Sequence, residues 1–129
     1  MSLNPFSHID LRVRNLGAAA GFYREFLPAI GFNEPWEGDG WSGGSAQGSC
    51  PSKAFFGFTE DPGHQPNGTR IAFWVESTAQ VDRVAGIIRN AGGRNIEGPL
   101  FNPEYEETYY AVFFEDPSGN RLEVVHRQK

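Results

Sequence analysis

The sequence predicts an α+β fold in which one βαβββ module occurs twice in tandem. Three observations carry that prediction. The chain opens with a strand-period alternation followed by a helix-period stripe. The same order returns at a constant offset of 62 residues. The rest is cut into short pieces by 16 Gly and 9 Pro, which favour tight turns between strands over a helical bundle.

From Phe6 to Val13, Ser7, Ile9, Leu11 and Val13 share one face and Phe6, His8, Asp10 and Arg12 the other, the pattern of a half-buried strand. Asn15 is placed to cap a helix whose stripe is Ala19, Phe22, Tyr23, Phe26 and Leu27, ended by Pro28 and Gly31. Short strands are then expected at Gly31–Trp36, Trp41–Gln47 and Lys53–Phe58. In the second half Arg70–Glu76 alternates, with Ile71, Phe73 and Val75 opposite Arg70, Ala72 and Trp74. Ser77 takes the capping role. Val81, Val84, Ala85 and Ile88 repeat Ala19, Phe22, Tyr23 and Phe26 in register, and Gly93 repeats Gly31. Strands are expected at Arg94–Gly98, Thr108–Glu115 and Arg121–His126, the last two joined by a hairpin at Asp116-Pro-Ser-Gly-Asn120.

The 129 residues thus divide into module one at 1–62, a linker at 63–68 and module two at 69–129, within one domain. Each module alone is one sheet with one helix, too small to bury a core of its own. A net charge of −5 disfavours a surface that tracks phosphates, so no nucleic acid partner is expected. No apolar run is long enough for a membrane span, and no secretory leader is recognisable. Cys50 is the only cysteine, which excludes an intrachain disulfide and a thiolate metal cluster and suits a reducing, cytoplasmic setting. Any metal is left to imidazole and carboxylate. The Gly-rich run from Gly38 to Gly48 lacks the Lys-Ser/Thr ending of a phosphate loop.

Parity assigns Ile9, Leu11, Tyr110, Val112, Phe114, Leu122 and Val124 to the helix-covered faces. The opposite faces carry His8, Arg70, Tyr109, Phe113, Arg121 and Glu123, a mixed aromatic and polar lining suited to a cavity. Trp41, Phe55 and Trp74 are candidate aromatic walls, and Tyr105, in the loop Asn102–Glu107, a candidate cap. His126, of opposite parity to Glu123, is expected on the helix side or in solvent. A glutamate in the apolar run Leu122-Glu-Val-Val125 calls for a nearby cation, either a metal ion or Arg70.

Phe6-Ser-His-Ile-Asp-Leu-Arg-Val13 followed by Gly21-Phe-Tyr-Arg-Glu-Phe-Leu27, together with Tyr109-Tyr-Ala-Val-Phe-Phe-Glu-Asp-Pro-Ser-Gly-Asn-Arg-Leu-Glu-Val-Val125, resembles the vicinal oxygen chelate superfamily of glyoxalases, bleomycin resistance proteins and extradiol dioxygenases. The resemblance implies paired βαβββ modules with curled mixed sheets around a cavity, and commonly a homodimer. It implies a divalent ion, Zn, Ni, Mn or Fe, held by His8 and Glu123. Such an ion, with open positions, chelates neighbouring substrate oxygens. Arg70 stands where many relatives place a second histidine, and arginine has no lone pair to give. The fourth equivalent position, near Phe55, is apolar.

Two functions follow as expectations. One is metal-assisted lyase, isomerase or dioxygenase chemistry on a small substrate, with anions among the candidates. There His8 and Glu123 hold the ion or Glu123 serves as the catalytic base, and Arg70 orients the substrate among Trp41, Phe55, Trp74, Tyr105, Tyr109 and Phe113. The other is a metal-free protein that binds or sequesters a small molecule between aromatic walls, with Arg70 and Glu123 paired.

Overall fold

The computed structural model describes residues 5–46 and 54–128. The order is β1 (His8–Val13), α1 (Leu16–Ala29), β2 (Glu34–Gly38), β3 (Trp41–Ser45), β4 (Phe55–Glu60), β5 (Arg70–Trp74), α2 (Thr78–Ala91), β6 (Arg94–Phe101), β7 (Tyr110–Glu115) and β8 (Arg121–His126). Met1–His64 and Gln65–Lys129 form two compact units, each a βαβββ module. Each has one four-stranded mixed sheet, ordered β1-β4-β3-β2 in the first and β5-β8-β7-β6 in the second, and neither sheet closes into a barrel.

Both helices start where their caps predict. Asn15 Oδ1 accepts from Ala18 N at 2.9 Å and Ser77 Oγ from Gln80 N at 3.1 Å, satisfying amides that a first helical turn leaves free. The C-terminal ends differ. α1 carries Pro28 within its last turn and is capped by Ile30 ahead of the left-handed Gly31, whereas α2 is capped directly by left-handed Gly92, φ 100°. The glycine that repeats the role of Gly31 is therefore Gly92, one position before the expected Gly93, because the second helix needs no extra residue before its reversal.

In the first unit Ala19, Phe22, Tyr23, Phe26 and Leu27 are buried against Phe56 and Phe58, with the Tyr23 and Phe58 rings stacked at 4.6 Å. In the second, Val81, Val84, Ala85 and Ile88 are buried with Val112, Phe114, Leu122 and Val124. The hairpin between β7 and β8 is held from inside. Asp116, fully buried, accepts through Oδ1 from Ser118 N at 2.8 Å and Asn120 N at 3.0 Å, and through Oδ2 from Asn120 Nδ2 at 3.0 Å.

Several boundaries shift from the sequence reading. β2 begins at Glu34, three residues later than expected, and β6 runs on to Phe101. β5 stops at Trp74 and β7 starts at Tyr110, so Tyr109 ends a loop whose amide donates to Glu106 O. Cys50 and the ends of the expected strands at Gln47 and Lys53 lie outside the described residues.

Candidate functional site

Each sheet has one face under its helix and one without, and the pairing registers fix what the second carries. Across the first sheet three rows run from β1 to β2: His8, Phe55, Ser45, Glu34; then Asp10, Gly57, Gly43, Trp36; then Arg12, Thr59, Trp41, Gly38. The middle row is almost bare. A Cβ on Gly43 would collide with the Trp36 ring and with the Phe56 carbonyl, so only glycine lets that indole lie across the sheet. Trp36 Nε1 donates to Ser45 Oγ at 3.0 Å, which fixes the ring. Beside it is a cavity of about 320 Å³ lined by Asp10, Trp36, Trp41, Phe55, Gly57 and Thr59. Thr59 Oγ1 donates to Asp10 Oδ1 at 3.1 Å, and Arg12 pairs with the same oxygen at 3.1 Å. His8 stacks on Phe55, with centroids 4.4 Å apart and planes 1° apart, and shares a hydrogen bond between Nδ1 and Ser7 Oγ at 3.0 Å.

On the second sheet the same positions hold different chemistry. Arg70 and Arg121 are register neighbours, as are Ala72 and Glu123, and Phe113 lies opposite Glu123 across the β7/β8 pair. Glu123 is only 4% exposed. The Tyr109 hydroxyl donates a short hydrogen bond to Glu123 Oε2. Burial, that bond and the adjacent negative charge together push the Tyr109 hydroxyl well above the usual phenol range. Arg70 instead lies over the Phe113 ring, 4.9 Å from its centroid, and no ion pair joins it to Glu123 among the described residues. Arg70 and Arg121 are both exposed and are register neighbours at this edge of the face.

The remaining expected site residues also lie on this face or its rim. Trp74 is half exposed under the Arg127 guanidinium at 4.7 Å, and Arg127 pairs with Glu106 at 3.0 Å. Tyr105 is exposed, its ring centroid 5.0 Å from that of Tyr109. His126 is half-buried and bonded through Nδ1 to Val75 O at 2.9 Å. One assignment is corrected by register. Asp10 pairs with Gly57 as Ala72 pairs with Glu123, so the first-module counterpart of Glu123 is Gly57, and Phe55 corresponds to Arg121. Trp36, Asp10 and Thr59 were not singled out from sequence. The signal for Trp36 was the pair of glycines in neighbouring strands, which leave an indole room to lie flat.

A scan of family models matches residues 6–124 to the Glyoxalase/Bleomycin resistance protein/Dioxygenase superfamily. The chain belongs to this superfamily. None of the curated proteins compared with it matches. Among solved structures it is similar to a glyoxalase/bleomycin resistance protein from Albidiferax ferrireducens T118, with a TM-score of 0.78 and 26% identity over 96% of this chain and 100% of that one. It shares its fold with the genomically encoded fosfomycin resistance protein FosX of Listeria monocytogenes, at TM-score 0.71 and 18% identity over 98% and 96% of the two chains. A putative glyoxalase from Bacillus halodurans gives 0.69 and 24% over 96% of each.

A resident metal ion is the cofactor this superfamily implies. Among the described residues no group of three or more His, Cys, Asp or Glu side chains is placed to hold one. On the second face Glu123 is engaged by Tyr109, and its neighbours Ala72, Arg70 and Phe113 offer no lone pair. On the first, Asp10 is engaged by Arg12 and Thr59. The donor set of either unit does not fit a three-residue centre, and no step is assigned to an ion here. No helix among the described residues is long and apolar enough to cross a membrane.

Proposed function

We propose that this superfamily member binds a small planar organic ligand on the helix-free face of its first sheet, without a resident metal. The observation that carries the reading is the cavity of about 320 Å³ walled by Trp36, Trp41 and Phe55, a volume and lining suited to a small ring-bearing ligand. In the second unit, taken by itself, Arg70 and Arg121 have no carboxylate partner among the described residues, which suits them to an anionic group of a ligand bound to that unit. Glu123, held by Tyr109, supplies a buried acceptor for a ligand hydroxyl or amine. If the ligand is turned over, Glu123 is the candidate proton acceptor.

All three tryptophans, Trp36, Trp41 and Trp74, are on the helix-free faces, so intrinsic fluorescence reports on binding there. Titration of chelator-treated protein with naphthoate is expected to quench it saturably, with weakened binding in Trp41→Ala. Absence of quenching and of calorimetric heat at millimolar naphthoate refutes the proposal. The metal-assisted alternative, with His8 and Glu123 as ligands, is tested in parallel by titrating Zn, Ni, Mn or Fe(II). Saturable binding of a single ion that His8→Ala abolishes would replace the metal-free reading.

A further inference from the structure

The two modules are copies, and comparing them position by position shows where one has been hollowed out. In the second, β7 turns Val112 and Phe114 toward α2, where they pair with Val124 and Leu122 and are buried. In the first, the residues paired in the same way are Ser42, opposite Phe58, and Gly44, opposite Phe56. The larger Phe56 and Phe58 fill the space beneath α1 on β4. Over β3 the Phe32 backbone and the Leu27 side chain take the space at Gly44, while Ser42 carries only a hydroxymethyl group, and α1 packs on β3 and β4 while β2 extends beyond it. The result is a cavity of about 450 Å³ on the helix side of the first sheet. Its apolar wall includes Tyr23, Leu27, Phe32 and Phe58, and its two charged lining residues are Arg24, from α1, and Glu37, from β2. Both are exposed, and neither has an ion-pair partner among the described residues.

We propose that this helix-side cavity is a second binding site, for a small zwitterion with an apolar body, of the apolar α-amino acid kind. The argument is complementarity. An aromatic and aliphatic wall takes a ring or branched alkyl group, and an apolar pocket of this size falls within the range of small-ligand sites. Arg24 offers a fork of donors to a carboxylate, and Glu37 accepts from an ammonium. A simple anion would meet Glu37, and a simple cation Arg24, each at a cost that the zwitterion avoids. Val112 fills the matching space in the second module where the first has Ser42, so the opening follows from that small residue of β3 rather than from the fold.

The test is calorimetry on the full chain with L-phenylalanine, phenylpropionate and phenethylamine. Saturable binding of L-phenylalanine is expected, with phenylpropionate and phenethylamine each weaker by about tenfold, the loss of one charge-assisted contact. Arg24→Gln and Glu37→Gln, both at exposed positions, are expected to weaken L-phenylalanine by a similar factor. Ser42→Phe, which restores the bulk its counterpart module has, is expected to abolish binding. Trp41→Ala, on the other face of the sheet, is expected to leave it unchanged. No saturable heat at millimolar L-phenylalanine overturns the proposal. So does binding insensitive to both charge variants, equal affinity for the three probes, or binding lost in Trp41→Ala. None of these outcomes depends on the naphthoate experiment, so the two readings fail separately.

Discussion

Replacing Tyr109 by Phe isolates the most consequential contact on the second helix-free face. The substitution keeps the ring beside Tyr105 and deletes only the hydroxyl that donates to Glu123. Glu123 is almost wholly buried, and its sheet neighbours Ala72 and Phe113 cannot donate in place of the lost group. Stranding a buried polar group costs about 1–3 kcal/mol, more if it is charged. A loss of about 2 kcal/mol is therefore expected, which for a chain of this size lowers Tm by roughly 6–10 °C. Urea and thermal unfolding of four proteins measure it: wild type, Tyr109→Phe, Glu123→Leu and the double variant. With Glu123 replaced there is nothing to strand, so Tyr109→Phe in that background should cost under about 0.5 kcal/mol, leaving a coupling of about 1.5 kcal/mol. Tyr110→Phe is the control. Its hydroxyl donates to Asp82 at 2.6 Å near the surface, where water substitutes, and the expected cost is under about 1 kcal/mol. Equal costs of Tyr109→Phe in both backgrounds would refute the reasoning.

Alkaline unfolding should carry the same signature. The folded Tyr109 hydroxyl ionises above its ordinary value of 10.0, so its contribution is fully present below that pH and is lost as pH rises through the folded value. Wild type should lose stability above about pH 10 more steeply than Tyr109→Phe, as read by urea midpoints across that range. Asp116→Ala removes a buried carboxylate accepting three hydrogen bonds and should cost roughly 3 kcal/mol in urea unfolding, the largest effect expected of any residue outside the hydrophobic core. Ser77→Ala should cost about 1 kcal/mol by loss of the helix cap, measured the same way, and Ser77→Thr should restore most of it.

Local signals made the fold legible. A strand period, a cap, a helix stripe and a glycine near the helix end are each set within a few residues, and their repetition at a fixed offset multiplied their weight. The departures fall where local chemistry is permissive. Glu34-Pro-Trp-Glu-Gly38 contains a proline and little β-branched character, so β2 exists because β3 pairs with it rather than by propensity. The same holds for Trp41-Ser-Gly-Gly-Ser45, a weak strand on composition that is clamped between two partners. Tertiary pairing decided both.

The site was legible as faces but not as contacts. Alternation within a strand tells which residues share a side, and it placed His8, Arg70, Tyr109, Phe113 and Glu123 correctly on the helix-free sides of their own sheets. Cross-strand register is a different kind of information. The hairpin at Asp116–Asn120 sets Phe113 opposite Glu123, and continuing that ladder puts Tyr109 two pairs further on, away from Glu123. The tyrosine nevertheless reaches back to donate to Glu123. A hydroxyl from the end of the loop before β7 reaches the buried Glu123 carboxylate, a contact that alternation within a strand does not reveal. The same gap hid Gly57 as the counterpart of Glu123. Counting along a chain cannot align two copies whose intervening loops differ in length, whereas the pairing of β1 with β4 and of β5 with β8 aligns them directly. Once aligned, the copies have divided the work: the first module has shed side chains on both faces of its sheet at Gly57, Gly43 and Gly44, and the second keeps bulk or charge at each equivalent position, Glu123, Phe113 and Phe114. In the first module that space is taken up by the Trp36 ring over Gly43 and Gly57 and by Phe32 and Leu27 over Gly44, so the glycines let larger neighbours close onto the sheet, with the two cavities beside them.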